Sequence, residues 1–243
     1  MTFRDRKSLI ICLLSLTNIV FVVTLLSLYF WPKDTIMNSV SLFETSSSSV
    51  VEVKAMEEGV GESFGTGAIV SSSGDIITNA HVVTRQELGE RKVFKEYFVR
   101  LAFEKNYRPV NLSSYDISKD LALLKLLDSN TLKPLFFKDS SLLKPGERVF
   151  TLGNASNCGV AIFEGIISKP LLKVNIDKEE KEVIQCDLTT ASGCSGGPLI
   201  DEKGKLAGIV TFRMKDKKGN IIYGIVYCVP SNLVKSFYEK NRR

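Results

Sequence analysis

From Val50 onward the chain alternates short apolar runs with clusters of Gly, Pro, Asn and Asp. The runs read VVEVKA, FGTGAIV, DIITNAHVV, FKEYFVRLAF, LALLKLL, RVFTLG, AIFEGIIS, EVIQCDL, KLAGIVTF and IIYGIVYCV, and SSGD, KPGE, DEKG and KKGN punctuate them. Runs of this length, bounded by turn formers, predict β-strands, and so many of them predict an all-β barrel or sandwich. Near the C-terminus the period changes. Leu233, Val234, Phe237 and Tyr238 fall at the spacing of one helix face, with Ser231 or Asn232 placed to cap it. No repeat of about 20 to 50 residues is present, which argues against a propeller or solenoid.

Ahead of this part the pattern is of another kind. Residues 8–31 hold no charge and 18 apolar side chains among 24. A helix of that length reaches about 36 Å at about 1.5 Å per residue, enough to cross a hydrocarbon core of about 30 Å. Arg4, Arg6 and Lys7 precede the run, whereas Lys33 and Asp34 cancel after it. The positive-inside bias therefore puts residues 1–7 in the cytoplasm and the bulk of the chain outside it, in a periplasmic or extracellular space. Tyr29, Phe30 and Trp31 fall at the far end, where amphipathic rings favour the headgroup level, and Pro32 discourages continuation of the helix. A cleaved secretory signal is the alternative. The run exceeds the roughly 7 to 15 apolar residues of such a signal and no A-x-A-like site follows, so an uncleaved, single-pass signal anchor is expected. Residues 32–49 end in four serines, Ser46 to Ser49, and read as a flexible tether.

Charge and composition exclude some chemistry. The chain has 32 Lys and Arg against 27 Asp and Glu, a net +5, of which residues 1–34 hold +2 and the remainder +3. That is too little for nucleic-acid binding to be the expected role. His81 is the only histidine and the five cysteines include no CxxC pair, so no metal and no other cofactor is expected. Cys158, Cys186, Cys194 and Cys228 allow three two-disulfide connectivities among which the sequence does not choose. Cys12, inside the apolar run, reads as a small lipid-facing residue.

Three segments carry candidate chemistry. In ASGCSGGPLI, residues 191–200, Gly193, Gly196 and Gly197 surround Ser195, so backbone N–H groups can converge there with no side chain in the way. In TNAHVV, residues 78–83, His81 leaves an apolar strand behind the small Ala80. In DISKDLALLKL, residues 116–126, Asp120 stands before a buried-looking strand, with Asp116 competing for the same role. Each alone is ordinary: a glycine turn, a structural histidine, a turn aspartate. Together they hold what nucleophilic catalysis by serine requires, a base within reach and a third group that fixes the base's tautomer.

With these motifs the chain resembles the chymotrypsin-fold, trypsin-like serine proteases, nearest the HtrA or Deg type, from about Val50 to the C-terminal helix. GTGAIV, LKPGERVFTLGN, FEGIIS, CDLTTASGCSGGPL, LAGIVTF and GIVYCVP carry the resemblance further. It implies two six-stranded antiparallel β-barrels, residues 50–135 and 136–243, the second followed by a helix, with the active site in the crevice between them. It implies catalysis by His81, Asp120 and Ser195, an oxyanion hole of the Gly193 and Ser195 N–H groups, and a bond from Thr211 to the triad aspartate. It places the substrate pocket at Thr189, Thr190, Ala191 and Ser192, at Thr211, Phe212 and Arg213, and near Gly224. Thr189 stands where trypsin-like pockets carry Asp, so an uncharged, small to medium apolar residue is expected on the acyl side of the cut bond. Arg213, if turned into the pocket, would instead accept an acidic residue.

The departures matter as well. Cys194 replaces the Asn of Deg-type relatives and the Asp with which digestive relatives pair a newly released N-terminus, and no R-I-V-G-G-like activation sequence is present. Activation without cleavage is therefore expected, and no PDZ domain is expected after Arg243. The expected protein is a membrane-anchored serine endopeptidase acting on proteins or peptides, with a homotrimer implied by the resemblance alone. A rival class is a catalytically inactive, tethered domain that binds peptides or partner proteins. A second rival uses Cys194 as nucleophile; register argues against it, because Gly196 and Gly197 follow Ser195.

Overall fold

The computed structural model describes residues 18–24, 36–127, 132–176, 179–216 and 218–242. The chain forms two units, Met1–Thr35 and Ile36–Arg243. In the first, residues 18–24 are helical and exposed. The rest of the expected anchor, residues 8–31, lies outside the described residues, and among the described residues no helix is long and apolar enough to cross a membrane.

The second unit opens with helix α1 (Ser39–Ser46), started by Asn38, whose side chain accepts a hydrogen bond from the Ser41 N–H. This corrects the reading of residues 32–49 as a tether throughout. Leu42 is fully buried and belongs to the same apolar cluster as Val50, Phe150 and Leu206. The Met37 N–H donates to the Glu202 carbonyl at 2.8 Å. Leu42, with the partly buried Met37 and Phe43 packed against the same cluster, outweighs the polar composition around it, and Ser46, Ser47 and Ser49 are buried along with it.

Two closed six-stranded barrels follow. The first takes β1 (Val50–Glu57), β2 (Gly61–Ile69), β3 (Asp75–Thr78), β6 (Glu96–Leu101), β7 (Arg108–Asp116) and β8 (Leu121–Leu126), closed in the order β1-β2-β3-β8-β7-β6. Between β3 and β6 stand a one-turn helix, α2 (Ala80–Val83), and a hairpin of β4 (Thr84–Glu87) with β5 (Glu90–Val93). The second barrel takes β9 (Arg148–Asn154), β10 (Val160–Ile176), β11 (Glu179–Leu188), β12 (Pro198–Asp201), β13 (Leu206–Lys215) and β14 (Ile221–Pro230).

Strand β8 explains why LALLKL is nearly continuously apolar. Its side chains alternate between faces. Ala122, Leu124 and Leu126 fill the first barrel with Val53, Ile76 and Val99. Leu121 and Leu123 face outward into a cluster with Phe150, Ile200 and Val234, so both faces are buried and the barrels share a core.

The C-terminal helix α3 (Ser231–Asn241) buries Val234, Phe237 and Tyr238. Its cap differs from expectation. Pro230 holds the N-cap position without a side-chain bond, while Ser231 donates to the Lys138 carbonyl and Asn232 to Asp139. Tyr238 donates its hydroxyl to Asp75 at 3.0 Å, tying the helix to the first barrel. Cys158, Cys186, Cys194 and Cys228 are all free thiols.

Candidate active site

The extended residue Asn79 follows β3 as the N-cap of α2, and the chain turns at once into that helix, which takes His81 out of the sheet. Across from it Asp120 adopts the left-handed conformation, φ 54°, at the turn into β8. Aspartate tolerates this region better than most residues. The turn aims its carboxylate back at α2. Oδ1 accepts the His81 backbone N–H at 3.0 Å, and Oδ2 lies 2.8 Å from His81 Nδ1. Thr211, on β13 of the second barrel, donates its hydroxyl to the same Oδ2. Asn79 donates to the Asp120 backbone carbonyl at 2.8 Å. Asp120 is only 4% exposed, so these bonds replace the water that burial removes. With Nδ1–H held by the carboxylate, Nε2 is the nitrogen left to accept a proton. The Phe212 ring stacks on the imidazole, centroids 6.2 Å apart, and Lys181 Nζ lies 5.6 Å from the centroid of Phe212.

The Ser195 segment is gripped from both barrels. Thr66, on β2, donates its N–H to the Ser195 carbonyl at 2.8 Å and its hydroxyl to the Gly193 carbonyl at 2.6 Å. The same hydroxyl accepts the Asn154 N–H at 2.9 Å. Gly193 has φ 92°, and a Cβ there would lie 2.1 Å from the Asn154 carbonyl oxygen, so only glycine fits. The Ser192 carbonyl accepts from the Ser156 N–H at 2.7 Å. Because a trans peptide is planar, that bond turns the Gly193 N–H the opposite way and fixes its direction.

His81, Ser195, Thr211, Phe212 and Arg213 line one cleft of about 780 Å³, with Arg91 and Tyr227 also on its wall. Of the other expected pocket residues, Thr189 and Ser192 are exposed, Ala191 is half-buried and Thr190 is buried, all on the segment leading to Ser195. Arg213 Nη2 donates to Ser192 Oγ at 3.3 Å. Gly224 has φ 79°, and a Cβ there would meet Asp187 at 3.2 Å.

The two competing assignments fare differently. Asp116 is bonded to Ser118 and Lys119. Burial pulls its pKa up, but those hydrogen bonds outweigh it and hold it at about 2. It is engaged away from His81. The Cys194 thiol is buried, and burial pushes its pKa up, opposite to what a thiolate nucleophile needs. It lies against Gly153, where an added Cβ would stand 3.2 Å from Sγ.

Four positioning residues were not singled out from the sequence: Thr66, Asn79, Asn154 and Ser156. Thr66 and Asn79 lie inside GTGAIV and TNAHVV, next to residues that were read, but their partners are set by long-range register. Ser156, with φ 55°, gave no signal beyond its place in a loop.

Two closed six-stranded barrels, with a His81–Asp120 pair whose carboxylate is buried on one and a glycine-flanked serine on the other, define a chymotrypsin-like peptidase architecture. Residues 65–209 match the trypsin-like peptidase domain family, and the chain belongs to that family. It is 31% identical to "Serine protease HTRA4" of Mus musculus over 73% of this chain and 34% of that protein. It is 33% identical to "Probable periplasmic serine endoprotease DegP-like" of Buchnera aphidicola subsp. Baizongia pistaciae over 74% of this chain and 36% of that protein. Among solved structures it is similar to "HtrA-type protease AlgW with tripeptide", with a TM-score of 0.71 and 25% identity, covering 84% of this chain and 63% of that one. The chain thus spans about a third of the length of these curated relatives.

Proposed function

We propose that the protein is a serine endopeptidase of HtrA type that cleaves peptide bonds through an acyl-enzyme. The observation that carries this reading is the two-point hold of Asp120 on His81, at Nδ1 and at the backbone N–H, at the wall of a cleft that Ser195 also lines. Ser195 Oγ attacks the carbonyl while His81 Nε2 takes its proton; His81 then gives that proton to the leaving amine. Asp120 keeps Nδ1 protonated and stabilises the imidazolium, and Thr211 holds Asp120 in place. The N–H groups of Gly193 and Ser195 receive the oxyanion, an arrangement in which one such donor is worth about 10² to 10³ in rate. Water then repeats the sequence to release the acid.

The tripeptide named with the HtrA-type structural neighbour supports a peptide substrate. Residues 8–31 are proposed as the membrane anchor, with the barrels on the extracytoplasmic side. The bond from Ser156 to Ser192 fixes the Gly193 N–H without any released N-terminus, which supports activity without cleavage. Full-length protein treated with a fluorophosphonate probe tests the mechanism. Labelling at Ser195 is expected, and labelling that survives Ser195→Ala would overturn it. A folded protein with no labelling at all would favour the peptide-binding, non-catalytic reading.

A further inference from the structure

The cleft that holds His81 and Ser195 has an uneven charge. Two guanidinium side chains, Arg91 and Arg213, line it, and among the described residues no carboxylate does. Asp120 sits beneath His81 with its oxygens occupied by the imidazole, a backbone N–H and Thr211. Arg213 does not point away along its strand. Its Nη2 reaches Ser192 Oγ, three residues before the candidate nucleophile, so the guanidinium lies over the segment that presents Gly193 and Ser195. That single bond, at 3.3 Å, leaves most of the guanidinium N–H fork to an incoming group, and a carboxylate matches the fork with two parallel bonds.

We propose that the cleft selects substrates with an acidic side chain, Asp or Glu, on the acyl side of the cut bond, with Arg213 as its charge partner. The inference rests on the endopeptidase reading above and changes the specificity expected from residue types alone, because Arg213 turns toward the cleft segment. Arg91 adds a second positive centre on the cleft wall, which raises the local concentration of acidic peptides.

The test uses full-length protein and a positional-scanning library of fluorogenic peptides, followed by matched peptides carrying Glu, Gln or Lys at the selected position. Glu is expected to exceed Gln in kcat/KM by about tenfold, the low end of what a hydrogen bond between charged groups contributes. In Arg213→Ala the Glu-to-Gln ratio is expected to fall to near one, in Arg213→Lys to be retained in part, and in Arg213→Glu to shift toward Lys. A ratio taken on one preparation is unaffected by a misfolded fraction, which lowers both rates alike. Fluorophosphonate labelling without any acidic preference at an acyl-side position would overturn this inference alone, as would an acidic preference unchanged in Arg213→Ala. Absence of labelling in the wild-type protein would overturn the endopeptidase reading and this inference with it.

Discussion

Thr66 and Ser195 belong to different barrels, yet the Thr66 N–H donates to the Ser195 carbonyl at 2.8 Å. The segment bearing the candidate nucleophile is thus laid against the barrel that bears the candidate base. Thr66→Val keeps the side-chain shape and the N–H but strips the hydroxyl from the Gly193 carbonyl and the Asn154 N–H. A loss of about 1 to 3 kcal/mol in stability is expected from the groups left unsatisfied. A fall in kcat/KM of about ten- to a hundredfold is expected from the loosened oxyanion donors. Denaturant titration and steady-state kinetics measure the two, and Thr66→Ser should restore both.

The catalytic assignment has a sharp internal control in the two aspartates. Ser195→Ala and His81→Ala should each lower turnover by about 10⁴ or more while the fold persists. Asp120→Asn should be far more damaging than Asp116→Asn, since only Asp120 reaches His81. Equal losses in the two Asn variants would show that the carboxylate acts through the loop and not through the imidazole.

Thr211 tests whether holding the aspartate matters separately from having it. Thr211→Val removes the hydroxyl that donates to Asp120 Oδ2. A reduction in kcat of about tenfold is expected with KM little changed, because a charge-assisted bond of roughly 1.5 kcal/mol is lost at the acid and not at the substrate. Thr211→Ser should recover the rate, which a purely space-filling role would not require.

Leu42 tests the docking of the segment ahead of the first barrel. The side chain is fully buried, and Leu42→Ala should cost about 2 to 5 kcal/mol in a thermal or denaturant melt. An unchanged melting point would mean that the segment is a tether after all.

Acid stability should carry the mark of Asp116. Its folded pKa of about 2 lies below the reference value of 3.8, so its contribution is present above pH 3.8 and is lost as pH falls through 3.8 toward about 2. Asp116→Asn should lower stability at neutral pH and flatten the decline in that window. Melting curves across acidic pH, compared between the two proteins, measure this.

The chemistry of the candidate site was more legible in the sequence than its support. A serine between glycines, a lone histidine behind a small residue and an aspartate before an apolar strand are each constrained in type, so they stand out as letters. Thr66, Asn154 and Ser156 act through where strand register brings them, and a backbone donor such as the Ser156 N–H leaves no trace in residue identity. Strand positions were legible for a related reason: period-two burial is written locally, as in β6, where Tyr97 and Val99 are buried, whereas the mostly polar β7 was not among the runs read as strands. The docking of residues 36–49 was not, because Met37, Leu42 and Phe43 stand scattered among polar residues and the cluster partners Phe150 and Leu206 are more than a hundred residues away. Arg213 was legible as a cation but not in its direction, which depends on where Ser192 lies.

The bond between Tyr238 and Asp75 spans 163 positions of the chain. Asp75 sits at the start of β3, the strand that leads into His81, and α3 packs Val234 and Phe237 into the cluster that also contains Leu121 and Leu123 of the first barrel. During synthesis, therefore, the first barrel emerges before the second barrel and the helix that cover it, and its outward leucines stay exposed until those parts have been made. A nascent chain halted anywhere between the barrels would carry the proposed base and acid without the nucleophile and with an open apolar face, a natural substrate for chaperones and not yet a hazard to neighbouring proteins.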